Sequence, residues 1–330
     1  LHFFTPFVAN KKSTYLHHMQ IRKANSSDLP SIIDLLKVSL GESLVPKSEE
    51  LWNWKHLANP FGSSPILIAQ DNGLICGVRV FLRWEFRQGE KLIKACRAVD
   101  TAIHPDYQGK GIFKSLTLSL IEELKEEGVE LIYNTPNAQS SPGYAKMGWE
   151  KWGKLPLKMH FNLKLGKNKN QSPKSDWSSI SSLFEKIENG SHTSDKIQTN
   201  LVSGYLNWRY TTCPLFPYHF ISDGETYLLI YRIKDGKIGK ELRIVDFFQL
   251  SGFGKNEKKQ VNARLKTVQK NEGVRFTSFS GLQFQNDLPI EMGLLPVMSI
   301  GPEVTLRKVA TSDDLVPKPW AWSLGDLEVF

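Results

Sequence analysis

The 330-residue chain predicts an α+β protein in two domains. Three observations carry this. The length suits about two domains at roughly 100–200 residues each. The first half reads as an antiparallel meander running into a strand–loop–helix–strand crossover. The second half repeats several short signatures of the first, in the same order.

Residues 1–18 show no periodicity and no apolar run followed by a small-residue cleavage site, so they read as a poorly ordered leader. From Met19 the chain reads as a strand, and Ser26-Ser27-Asp28 caps a helix carrying Ile32, Ile33, Leu35 and Leu36. A second helix rich in Trp and Leu spans 47–57 and ends at Asn59-Pro60. Residues 66–70 alternate, and Asp71-Asn72-Gly73 supplies a hairpin turn because Asn-Gly tolerates positive φ. The long strand 74–87 places Val78, Val80, Leu82, Trp84 and Phe86 on one face. Gln88-Gly89-Glu90 turns it, and 92–104 returns. Pro105 ends that strand, a helix follows over 112–127, Gly128 stops it, and 130–135 is a strand. A Lys-, Asn-, Ser- and Pro-rich stretch, 166–176, has the composition of an exposed linker between a domain at 19–165 and one at 177–330.

Beyond the linker the chain echoes itself. Asn53-Trp54-Lys55-His56 is answered by Asn207-Trp208-Arg209-Tyr210, each with a proline four residues on. Arg97-Ala98-Val99-Asp100 is answered by Arg243-Ile244-Val245-Asp246, and Glu127-Gly128-Val129 by Glu272-Gly273-Val274. The offsets are 154, 146 and 145 residues, the pattern of a degenerate duplication. Between Asp246 and Gly273 no strand–Pro–Gly-x-Gly–helix junction recurs.

Composition narrows the function classes. With 40% hydrophobic and 23% charged residues the chain has material for two cores. No apolar run approaches the roughly 18 residues of a membrane span. Three cysteines and no CxxC or His/Cys cluster argue against a disulfide framework or a structural zinc, and for a cytoplasmic protein. The net charge of +8 divides as +2 over 1–18, +3 over 19–165 and +3 over 166–330. So diffuse an excess is no nucleic-acid footprint.

The chemistry concentrates in Tyr107-Gln108-Gly109-Lys110-Gly111-Ile112-Phe113. Two glycines flanking one residue let backbone N–H groups converge, and the first-turn amides of the following helix add positive charge. That is a cradle for a pyrophosphate. It has no second half of a Walker loop and no Rossmann unit, which disfavours ATP and NAD.

Ile103-His104-Pro105-Asp106-Tyr107-Gln108-Gly109-Lys110-Gly111-Ile112 resembles the acetyl-coenzyme A motif of the GNAT N-acetyltransferases, with Asp106 where Gln or Arg is commonest. Pro142-Gly143-Tyr144-Ala145-Lys146-Met147-Gly148-Trp149 resembles that family's Tyr-x-x-x-Gly-Phe segment. The resemblance covers about residues 19–165. It implies a GNAT fold, a mostly antiparallel mixed sheet flanked by helices, in two tandem copies of which the second is degenerate. It also implies acetyl-CoA as co-substrate, a small amine such as an amino sugar as acceptor, no metal, no membrane or nucleic-acid partner, and room for a homodimer.

Ala102, Ile103, Gln108, Gly109, Lys110, Gly111, Ile112, Phe113 and Asn137 are the implied coenzyme contacts, Ile103 through its backbone N–H. Lys110 is equally a solvated loop lysine, and Asn137 either meets the pantetheine or caps a helix. Tyr144 is the implied general acid, or else packs a short helix. The general base stays open among Asp100, Glu85 and His104, with the terminal carboxylate of Phe330 as a further alternative. Asp100 and His104 are expected on one face, since both are even-numbered in the run from Cys96. Two other readings keep part of the pattern: a Fem-like transferase using aminoacyl-tRNA, and a non-catalytic acyl-CoA-binding module.

Overall fold

The computed structural model describes residues 19–42, 45–162, 175–190, 194–283, 288–293 and 295–327. The expected leader 1–18 and most of the expected linker lie outside the described residues.

Strand β1 (Met19–Lys23) leads to Asn25, whose side chain and that of Asp28 cap each other's backbone, opening α1 (Leu29–Leu40). Ile32, Leu35 and Leu36 face inward at helical spacing. Ser48 caps α2 (Glu49–Trp52), which widens into a π-helical turn, Asn53–Leu57, closed by Ala58 N–H onto the Asn53 carbonyl. Then come β2 (Ile66–Asp71), β3 (Leu74–Gln88), β4 (Lys91–Ile103), α3 (Ile112–Glu126), β5 (Leu131–Asn134), α4 (Ser141–Lys146), β6 (Glu150–Lys154) and β7 (Leu157–Phe161). At the β2–β3 turn both Asn72 and Gly73 have positive φ, as a hairpin of this type needs.

The second half runs α5 (Ser181–Glu188), β8 (Gln198–Thr199), a second π-helical turn (Asn207–Thr211), β9 (His219–Ser222), β10 (Tyr227–Lys234), β11 (Glu241–Gln249), α6 (Lys255–Asn271), β12 (Phe276–Ser280), β13 (Glu303–Lys308) and α7 (Leu324–Leu327). In each half a π-helical turn precedes three antiparallel strands, and a long helix then delivers a strand parallel to the third.

Two sheets result. The larger orders as β1-β2-β3-β4-β5-β13-β6, with β8 beside β3, and the smaller as β7-β12-β11-β10-β9. This topology does not respect the boundary expected at 165/166. β7, from the first half, lies in the second sheet, and β13, from the far end, sits between β5 and β6 of the first. Val304, Thr305 and Leu306 are buried on both faces, which requires a central position. The largest core cluster correspondingly mixes Trp54 and Trp84 with Trp208, Trp320 and Trp322, so the sheets share one interior.

Along β3 the even-numbered residues face one side as expected: Val78 and Val80 in one cluster, Leu82, Trp84 and Phe86 in the next. Along β4 the alternation breaks. Val80 opposes Val99 and Val78 opposes Ala102, so β4 carries an extra residue opposite Arg79, with Asp100 at φ +41°. Cys96 therefore packs towards α3 while Ala102 packs towards α1. The even-numbered face expected to run unbroken from Cys96 to His104 is split at the bulge.

Candidate active site

The loop after β4 is built by local rules. His104 N–H bonds the Cys76 carbonyl at 2.9 Å, and Pro105–Tyr107 form one 3₁₀ turn. Tyr107 ties the loop to the β2–β3 hairpin by donating its hydroxyl to Asp71 Oδ2 at 2.9 Å. Gly109 and Gly111 stand at φ +75° and +83°. A Cβ at either would meet nothing within 4 Å, so it is backbone conformation, not crowding, that selects glycine. Gly111 offers no side-chain cap to the 15-residue α3, leaving the amides of its first turn open to the loop. Lys110 Nζ sits 4.4 Å from the centre of the Tyr107 ring.

Next to this loop the sheet parts. β4 and β5 pair only at Ala95–Arg97 with Leu131–Tyr133, so beyond Arg97 the strands separate. Because His104 bonds across to β3, ladder alternation turns the Ile103 peptide groups away from β3. The Ile103 carbonyl accepts from Ser39 Oγ at 3.2 Å and from Gln108 Nε2 at 3.4 Å. Ala102 packs on the α1 side, whereas Ile112 and Phe113 pack on the α3 side.

Tyr144, on α4, is buried among Phe113 and Trp149, whose rings meet it edge-on at 5.5 and 4.9 Å. Its hydroxyl oxygen accepts from Arg79 Nη1 at 2.8 Å. The same nitrogen donates to Thr101 Oγ1 at the β4 bulge. Tyr144 thus packs on Phe113, the second residue of α3 after the loop. Asn137 Oδ1 accepts from Ser140 N and Oγ at 2.8 and 3.0 Å, closing the turn before α4, whose first-turn amides take no side-chain cap.

Of the three expected bases, Asp100 is not free for that task. The bulge turns Asp100 into the interior, where Lys55 Nζ and His56 Nε2 bond its Oδ2 at 2.7 and 3.0 Å. Burial works against its ionisation, but the Lys55 charge and the bonds from both partners prevail and hold the carboxyl far below its ordinary range. Burial likewise lowers the affinity of Lys55 and His56 for their protons. His104 Nδ1 accepts from Asp106 N at 3.3 Å, a turn cap. Glu85 opposes Lys94, six residues along β4 from Asp100 and so about 20 Å away. Its Oε1 accepts from Asn200 Nδ2 at 2.6 Å. Phe330 lies outside the described residues.

The sequence reading missed Arg79 and its bond to the Thr101 side chain. Arg79 had a signal, a lone cation inside Val78-Arg79-Val80-Phe81-Leu82. Also missed was a cavity of about 870 Å³ lined by Lys196, Thr199, Tyr205, Asp246, Ser323 and Asp326 among others. Asp246 is pushed up to about 7 by burial and by the Asp326 carboxylate, while accepting from the Tyr210 hydroxyl. Asp326 is raised by burial, and accepts from Thr199 Oγ1 at 2.6 Å and Ser323 N at 2.7 Å. Arg97 joins this wall to the parting strands: it donates to the Asp326 carbonyl at 2.9 Å and to Thr135 Oγ1 at 3.2 Å. Among the described residues no group of His, Cys, Asp and Glu is placed to hold a metal, and no helix is long and apolar enough to cross a membrane.

Parting strands, a glycine loop at an uncapped helix and a tyrosine beside them define the class to which the fold belongs. Residues 20–152 match the family model described as an acetyltransferase (GNAT) domain. A conserved protein of unknown function from Enterococcus faecalis, a probable N-acyltransferase, is similar at 14% identity, covering 88% of this chain and 73% of that one (TM-score 0.64). A GCN5-related N-acetyltransferase from Anabaena variabilis is similar at 14% identity, 89% and 73% coverage and TM-score 0.60. Eis1 from Mycobacterium abscessus gives 13%, 88%, 73% and 0.54. No curated protein matches. The chain has the GNAT-type N-acyltransferase fold.

Proposed function

We propose that the protein is an acyl-CoA-dependent N-acyltransferase that moves an acetyl group from acetyl-CoA to the primary amine of a small acceptor, an amino sugar being the leading case. The observation that carries this reading is the pair of left-handed glycines, Gly109 and Gly111, opening onto the uncapped first turn of α3 beside the gap between β4 and β5. Backbone amides at Gly109–Phe113 suit the coenzyme's pyrophosphate, and the outward peptide of Ile103 suits the acyl carbonyl.

The amine attacks the thioester directly. Tyr144 protonates the departing sulfur, since its hydroxyl proton is not used in accepting from Arg79. The acceptor enters from the face of the sheet opposite the loop, through the cavity at Asp246 and Asp326. Its carboxyls complement an acceptor's positive charge, but they lie at the Glu85 end of β3, where Asp326 bonds Thr199 and Thr199 pairs with Phe86, so they serve acceptor binding and not proton abstraction beside Ile103. The paired signatures, common element order and paired π-helical turns further support two tandem GNAT-like units descended from one ancestor, the second shaping the acceptor side. The proposal places the reaction in the cytoplasm, on a soluble amine.

Calorimetric titration with acetyl-CoA tests the core. The native protein is expected to bind it, and Gly109→Val with Gly111→Val to abolish binding. Failure of the native protein to bind sinks the proposal.

A further inference from the structure

We propose that Arg79 is the positioning residue of this acyl transfer: it holds Tyr144 by its hydroxyl oxygen and supplies the positive charge against which the phenol gives up its proton. The inference rests on the reading under Proposed function.

Arg79 is wholly buried in the middle of β3. Its Nη1 reaches Thr101 on β4 and Tyr144 on α4, so one guanidinium spans the elements on either side of the gap between β4 and β5. Phe81, Phe113 and Tyr144 present ring faces to it at 4.2, 5.8 and 5.4 Å. Among the described residues, Nε and Nη2, the two nitrogens of its side-on fork, have no hydrogen-bond partner. Among the described residues no carboxylate pairs with it. Lys55, equally buried, has Asp100.

A buried cation without a counter-ion is a burden on the folded state, and aromatic faces offset only part of it. Folding alone gives no reason to keep it. Charge that appears only during a reaction does. The amine nitrogen attacks the thioester carbon, the C–S bond breaks, and its electron pair stays on sulfur. Tyr144 gives its proton to that sulfur, and the phenolate left behind lies against the Arg79 guanidinium. The nitrogen, on becoming an amide, sheds one proton, which restores Tyr144. The products are an amide and free thiol, and nothing else is consumed.

The test is a double-mutant cycle on thiol release from acetyl-CoA with a panel of primary amines. Arg79→Met is expected to lower kcat about a hundredfold, the scale of a displaced general acid. The KM for acetyl-CoA should stay within about twofold, as for a loss confined to the transition state. In a Tyr144→Phe background the same change should cost almost nothing, and Arg79→Lys should recover part of the loss. The melting temperature of Arg79→Met should be unchanged or higher, since an apolar side chain of similar size replaces an unpaired charge. Equal losses in both backgrounds, or a lowered melting temperature with kcat falling and KM rising together, would overturn the inference alone. Absence of acetyl-CoA binding or turnover in the native protein would overturn the functional reading and this inference with it.

Discussion

The indole N–H of Trp54 donates to the backbone carbonyl of Trp208 at 2.8 Å, and the indole N–H of Trp208 donates to that of Trp54, also at 2.8 Å. The rings stack with centroids 5.2 Å apart and 19° between planes. Each tryptophan sits at the same place in a π-helical turn of its own half. The exchange is reciprocal, as across a two-fold axis, and it joins the halves at the centre of their shared core.

Trp208→Phe keeps a ring but removes one donor and strands the Trp54 carbonyl. An unsatisfied buried acceptor costs about 1–3 kcal/mol, and Trp208→Ala, which also opens a cavity, about 3–5 kcal/mol. Because the core and two exchanged strands are common to both halves, chemical denaturation followed by circular dichroism and by tryptophan fluorescence should give coincident transitions. Separate transitions would show that the halves unfold independently.

Gly111→Val is expected to weaken acetyl-CoA binding at least tenfold while leaving the core intact. A β-branched residue at φ +83° is strained, by about 1–3 kcal/mol. The loop escapes by turning its amides away from their common point. Calorimetry of the variant beside the native protein, with melting temperatures of both, separates lost affinity from lost fold.

Tyr144→Phe should reduce kcat by about 10²- to 10⁴-fold with little change in the KM for acetyl-CoA, since only a proton donor is removed. Steady-state kinetics decide it. Unchanged kcat would reduce Tyr144 to a packing residue.

Asp100 and Asp246 occupy matching places in the two halves but titrate in opposite directions. Asp100 is held ionised by Lys55 and His56. Arg209, which takes the place of Lys55, gives its Nε to the Gly325 carbonyl and Nη1 to Tyr218, so Asp246 is left against Asp326. For Asp100 the folded state prefers the charged form, so its contribution is present above the ordinary carboxylate range and is lost as pH falls below it. For Asp246 the folded state prefers the proton, so its contribution is greatest near pH 4 and is lost as pH rises towards about 7. Melting temperatures across pH 3–8 should show Asp246→Asn flattening the fall between pH 4 and 7. Asp100→Asn should instead lose most stability at neutral pH.

Local chemistry by itself determined much of this protein. The alternation of β3, the Asn72-Gly73 hairpin and the glycines before α3 each depend on residues a few positions apart, and so were legible from spacing; the cap ahead of α1 fell one residue earlier than read, on Asn25. The glycine loop and Tyr144 came with them. What only the tertiary structure decided depends on partners far away in the chain. Thr305 finds its place in the first sheet through Asn134, 171 residues earlier. The bulge that turned Asp100 away from the coenzyme side shows in φ and in the register against β3, not in any residue type. Asp326 became a candidate for the acceptor site only because Arg97, 229 residues before it, holds that segment against the parting strands. Sequence periodicity reports which side of an element is buried. It does not report what the buried side meets, and in this protein the partners of Asp100 and the boundary between halves were both questions of that second kind.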